Sequence, residues 1–281
     1  MRPTNSVEVY AAEVSDGTRT AGELLFEQYL NAMHYPYEFE REHKGKAKKP
    51  DYTVTKNGVS LFDVKDFDPS SPRGYGAYDP YPRIREKIEA GREKFKEFKE
   101  YSCSIVLRNN GNPLVHLDRP EIVLGAMYGD SGLTIPIDTT TGAASGDFTP
   151  AFLGRGKMFR YGDVDNAHNT TISALITLRH VGIGTLRVDK IWQERKKVDK
   201  GFGKEDPLAA FSEVCAAAAE RYSNFDAEEK KLGVIVWENA VARIPLSREL
   251  FTGPYDERWG FEDNCQRIVF RGEKLADLSA D

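Results

Sequence analysis

The residues best suited to chemistry in this 281-residue sequence are Asp51, Asp63 and Lys65. Two carboxylates that meet can hold a hard divalent cation, because Mg2+ takes oxygen ligands and commonly uses one or two carboxylates beside water and phosphate oxygens. A cation held there polarises a phosphodiester and makes a bound water acidic enough to attack it. An ammonium nearby orients that water and offsets the charge that builds on a phosphorane-like transition state. Lys65 lies two residues after Asp63, so on a strand both side chains point to the same face. Each residue type therefore answers a need of phosphodiester hydrolysis, with Mg2+ as the expected cofactor and Mn2+ as its substitute.

These side chains need elements to hold them. Residues 51–55 and 58–65 read as two strands joined by Lys56-Asn57-Gly58, and Asn-Gly between β-prone runs is a strong hairpin signal. Eleven residues separate the two aspartates, enough for a strand, a tight turn and a returning strand. Upstream, residues 20–33 place Leu24, Leu25, Tyr29 and Met33 near helical spacing. Thr20 is a candidate N-cap there, with Glu23 completing a capping-box pattern. Residues 35–40, alternating and aromatic, predict a short strand. Downstream, the Pro-, Gly- and Asp-rich stretch 66–82 predicts an exposed loop. Residues 83–100 predict a helix with Ile84, Ile88, Phe95 and Phe98 as its apolar stripe.

Residues 102–107 follow as a buried strand, which completes a β–α–β crossover. Residues 122–127 are another apolar candidate, and 129–170, with little periodicity, predict long loops. Residues 171–178 and 233–237 predict further strands, and 206–222 an alanine-rich helix. Together these signals predict an α/β fold, a central mixed β-sheet flanked by helices on both faces. No internal repeat or linker divides the chain, so 1–281 reads as one elaborated domain, a core over about 20–110 with further elements over 111–281, or as a core domain with a C-terminal extension.

The order of these features resembles the PD-(D/E)XK nuclease superfamily, the restriction-endonuclease-like fold: an acid-bearing helix, Pro50-Asp51 on one strand, Asp63-Val64-Lys65 on the next, then a helix and a strand. The resemblance covers residues 22–107. It implies that Asp51 and Asp63 are metal ligands and Lys65 the water-positioning lysine. Glu23 would match the acid on the first helix that many members use through the metal or its water, and the Val64 carbonyl would complete the coordination shell. The second acid here is Asp, which the pattern allows. Asp66 adds a third carboxylate that strand alternation should turn to the other face. The implied activity is metal-dependent hydrolysis of nucleic acid, with DNA favoured because most enzymes of this fold resemble DNA endonucleases. A homodimer with two such sites could cut both strands of a duplex.

Composition bounds the partners. The net charge is −5, so any nucleic-acid surface must be local. Residues 41–49 carry five Lys/Arg and His43 against one Glu, making Lys44, Lys46, Lys48 and Lys49 candidate phosphate contacts. Arg83 and Arg85, on the 83–100 helix, are further candidates. No run approaches the roughly 18 apolar residues of a membrane span, and the N-terminus lacks the apolar core of a signal peptide. Cys103, Cys215 and Cys265 are odd in number and far apart, which argues against disulfides and a Cys-based zinc site and fits a reducing cytoplasm.

Other motifs are weaker. His34, His43, His116, His168 and His180 show no metal-ligand spacing. Gly154-Arg155-Gly156-Lys157 lacks the frame of a phosphate-binding loop, though Arg155 and Lys157 could touch a backbone. Asp163-Val164-Asp165 does not fit a calcium loop. Tyr75, Tyr78 and Tyr81 could stack on bases or pack on the sheet edge. Two competing classes stand beside the nuclease: a non-catalytic binding or scaffolding protein of the same fold, and a metal-dependent hydrolase of small phosphate substrates.

Overall fold

Thr20 opens the first helix as its composition requires. Its hydroxyl accepts the Glu23 N–H at 3.2 Å, and the Glu23 carboxylate accepts the Thr20 N–H at 2.5 Å, so two otherwise unpaired donors are satisfied. The structure, a computed structural model, describes residues 19–69, 79–135, 137–144, 146, 149–153, 156–160, 163–222, 226, 228–262 and 267–270. Five helices are found among them: α1 (Ala21–Ala32), α2 (Tyr81–Phe95), α3 (Pro120–Tyr128), α4 (Ile183–Val198) and α5 (Pro207–Arg221). The strands in the first half are β1 (Tyr37–Phe39), β2 (Tyr52–Val54), β3 (Ser60–Phe67) and β4 (Ser102–Asn109). Then come β5 (Asp130–Thr134), β6 (Thr149–Leu153), β7 (Phe159–Arg160), β8 (Asp163–Ala167), β9 (Ile172–Gly182), β10 (Lys230–Glu238), β11 (Glu257–Glu262) and β12 (Arg267–Phe270).

Eight of these strands form one mixed sheet in the order β1-β2-β3-β4-β9-β10-β11-β12. The β2–β3 pair is the antiparallel hairpin, and its connection carries Asn57 and Gly58 at positive φ (54° and 112°). From β3, the chain crosses through α2 and returns as β4, parallel to β3; β9 then lies parallel to β4. The expected β–α–β unit is thus present.

Strand alternation divides the core into two layers. Leu61 and Phe67 of β3 pack with Ile84, Ile88 and Phe95 of α2 and with α3. Phe62 and Val64, at even positions, pack with Phe26, Tyr29 and Leu30 of α1. The expectation of helices on both faces of a central mixed sheet holds.

Several boundaries differ from the sequence reading. The 122–127 run belongs to α3, whose apolar residues are buried all round; periodicity does not separate such a helix from a buried strand, and Pro120 in its first turn is the local start signal. The loop expected over 66–82 is shorter, since β3 runs to Phe67 and α2 begins at Tyr81; residues 70–78, with Tyr75 and Tyr78, lie outside the described residues. Within 129–170, expected as loop, β5 pairs β6 and β7 pairs β8 in two small ribbons. Helix α4 follows β9 directly and packs on α5 around Ile183, Ile191 and Val214, a satellite core that the sequence reading missed.

Candidate active site

The hairpin register brings the two acids together. Tyr52 pairs Phe62, Thr53 pairs Leu61 and Val54 pairs Ser60, and one further step sets Asp51 opposite Asp63. There the backbone ladder gives way to a side chain: Asp51 Oδ2 accepts the Val64 N–H at 2.7 Å, while the Asp51 carbonyl accepts the Glu40 N–H at 2.8 Å. Asp51 is thereby fixed from both neighbours of β2. Asp63 sits in the middle of β3, paired to Ile105, and is 0% exposed. Lys65, on the same face, places Nζ 2.7 Å from Asp63 Oδ2.

A fourth group completes the cluster. Lys94, in the last turn of α2, projects to the sheet and pairs with Asp51 Oδ1 and, at 2.5 Å, with Asp63 Oδ1. Two carboxylates and two ammonium groups therefore cancel in charge. Burial, then the charge of Asp63, pushes the Asp51 carboxyl up to about 6 against the pull of Lys94 and the Val64 N–H. Burial acts on Asp63 in the same sense, but Lys94 and Lys65 outweigh it and hold that carboxyl below its ordinary value. Burial also works against the Lys94 ammonium, yet Asp63 and Asp51 bind its proton more tightly than usual.

Glu23 is not brought to this cluster. Its carboxylate caps α1, which packs on the opposite layer from Asp63 and Lys65. Asp66 is there too, as alternation requires: its Oδ2 accepts the Gly22 N–H at 3.0 Å, and Arg108 lies 3.4 Å from Oδ1. Val64 contributes its N–H to Asp51.

The basic candidates are mostly engaged within the chain. Lys46 pairs with Glu100 at 2.7 Å and with the Glu97 carbonyl, Lys48 donates to the Glu93 carbonyl at 2.5 Å, and Lys49 pairs with Glu42 at 2.7 Å. The 41–49 run is drawn onto the end of α2 and the turn after it because Glu93, Glu97 and Glu100 supply acceptors there. Lys44 is exposed. Arg85 turns inward, over the Tyr81 ring at 4.8 Å and to the Gly125 carbonyl at 3.1 Å, while Arg83 is half-buried. Lys157 pairs with Glu89 at 3.1 Å, and Arg155 lies outside the described residues.

The donor set fits a hard cation. The Oδ1 atoms of Asp51 and Asp63 converge on a single point, the Lys94 ammonium, and the buried Asp63 Oδ2 faces the Lys65 ammonium at 2.7 Å. Among the described residues no group of three His, Cys, Asp or Glu side chains converges. Two carboxylates plus backbone, water and substrate oxygens would suffice for Mg2+. Lys94 is the residue that sequence reasoning missed. Its signal was faint: it lies three residues past Gly91, beside the buried stripe of Ile84, Ile88, Gly91 and Phe95. Comparison with protein-family models, curated proteins and solved structures finds no match to this chain.

Proposed function

We propose that this protein is a divalent-metal-dependent nuclease of the PD-(D/E)XK type that hydrolyses phosphodiester bonds, with DNA as its favoured substrate. The observation that carries the reading is the convergence of the Asp51 and Asp63 carboxylates at the end of the β2–β3 hairpin, with the Lys65 ammonium beside them at 2.7 Å from the buried Asp63 Oδ2. When bound, Mg2+ or Mn2+, held by Asp51 and Asp63 with the Val64 carbonyl as a further ligand, supplies an acidified water and a polarised phosphate. The chain's own residues do the rest. Lys65, whose side chain is 25% exposed, ends with its ammonium 2.7 Å from the buried Asp63 carboxylate. There its ammonium orients the attacking water and offsets charge gathering on the phosphate oxygens. The Val64 N–H holds Asp51 in place, so the carboxylate needs no reorganisation before it binds.

Incubation with plasmid, single-stranded DNA and RNA, with Mg2+ or Mn2+ and with chelator, tests this directly. Metal-dependent cleavage that is lost in a folded Asp63→Asn variant supports the reading, and cleavage that survives that substitution removes it. One observation favours a second reading, a non-catalytic binding protein of this fold: the four charges already neutralise one another. In that case polymer binds, no substrate is cut and Asp63→Asn changes stability alone. No described helix is long and apolar enough to cross a membrane. A dimer would let two sites act on one duplex, and light scattering on DNA that returns a monomer excludes that arrangement.

A further inference from the structure

We propose that Lys94 is the resident counter-cation of the Asp51–Asp63 site, occupying the point where the two carboxylates converge and swinging away when a divalent cation binds there. The inference rests on the metal-site reading above and concerns how that site is held before loading.

The geometry of the four groups carries it. Lys65 and Lys94 take different oxygens of Asp63: Lys65 meets Oδ2 at 2.7 Å, and Lys94 meets Oδ1 at 2.5 Å. Lys94 alone also reaches Asp51 Oδ1, so its ammonium bridges the two acids as a small cation would. Bridging cations compete for that point, because an ammonium and a divalent ion repel and need the same oxygens. The two lysines therefore have separate parts. Lys65 sits beside the pair and can remain when a metal arrives, whereas Lys94 sits within it and cannot.

Lys94 is also built to leave. It comes from the last turn of α2, its side chain is 21% exposed, and a lysine ends in a compact charge on a flexible four-carbon stem. Until then it prevents two carboxylates, one 14% and one 0% exposed, from facing each other uncompensated. Lys94 is thus a positioning residue, not a catalytic one.

Calorimetric titration of Mn2+ into the wild type, Lys94→Met and Asp63→Asn tests it. Removing the competitor raises the fraction of binding-competent sites, so Lys94→Met should bind Mn2+ at least about tenfold more tightly, and Asp63→Asn should lose binding. Equal or weaker binding by Lys94→Met, with Asp63-dependent binding intact in the wild type, overturns the inference and leaves the metal-site reading standing. Absence of binding in wild type and Lys94→Met alike removes both. Should Lys94→Met fail to fold, the unaltered protein still decides the matter through amine acylation mapped by mass spectrometry. Mg2+ should accelerate acylation of Lys94, and a rate indifferent to Mg2+ overturns the proposal.

Discussion

At the scale of single residues, the site is a balance between burial and charge. Asp63 is fully buried, and such a carboxylate is tolerated only while cations compensate it. Lys65 and Lys94 share that task, but only Lys65 stands clear of the converging oxygens. Lys65→Ala is therefore expected to lower the cleavage rate by roughly 10²–10³-fold, the scale of losing one positioned stabiliser of transition-state charge, while Mn2+ affinity changes little. Single-turnover kinetics beside a Mn2+ titration check both parts; an unchanged rate would contradict the role given to Lys65. The Asp51–Asp63 meeting was legible in the sequence because a hairpin converts spacing into register, and Asn57-Gly58 marks where the chain turns. Lys94 was not legible in the same way. Its approach depends on how α2 is rotated on the sheet, which the packing of Gly91 against Ile105 decides and local spacing does not.

At the scale of elements, three contacts hold the site's frame. The first is the cap of α1. Thr20→Ala should cost about 1 kcal/mol of stability, the usual worth of an N-cap hydroxyl. Glu23→Gln retains a capping-box side chain, so it should leave both stability and cleavage near their original values. Denaturant melts and a cleavage assay on the two variants test this, and loss of cleavage in Glu23→Gln would return Glu23 to the site. The second contact is Gly91, where an added Cβ would overlap the Ile105 side chain in a fully packed layer. Gly91→Ala should destabilise the protein by about 1–3 kcal/mol, the range for overpacking a core, as read from the denaturation midpoint.

The third is His43, which seats the 41–49 loop by bonding Thr53 Oγ1 at 3.0 Å and meeting the rings of Phe98 and Tyr101 edge-on. Burial, then Arg41 and with it Lys46, lowers its pKa against the opposing pull of Glu38 and Glu100. A base depressed on folding contributes stability above its ordinary value of 6.5 and loses it as pH falls through the folded value. Acidification from pH about 7.5 to about 5.5 should therefore destabilise the wild type more than His43→Gln; equal losses in paired urea melts would contradict this. Elements with a clear period, α1, α2 and α5, were legible in the sequence. Helix α3 was ambiguous because it is buried all round, and α4 was hidden because β9 passes into it without a break.

At the scale of the whole molecule, the mixed sheet extends well past the hairpin. β10, β11 and β12 continue it, and Trp237 of β10 stacks on Trp259 of β11 at 5.8 Å. The acidic balance of the chain and the pairing of Lys46, Ala47 and Lys48 with Glu93, Glu97 and Glu100 mean that the 41–49 run is first a structural strap across the end of α2. A charge count alone could not reveal that, because the acceptors that hold Lys46, Ala47 and Lys48, on Glu93, Glu97 and Glu100, lie about fifty residues away in sequence and become neighbours only on folding. Everything proposed for function converges on one location, the oxygens of Asp51 and Asp63. The most direct measurement is anomalous scattering from crystals of the protein soaked in Mn2+. The expected result is a peak between Asp51 and Asp63 with Lys65 retained beside it; crystals that show Mn2+ bound only elsewhere, with the Asp51–Asp63 cluster unchanged, would contradict the central claim.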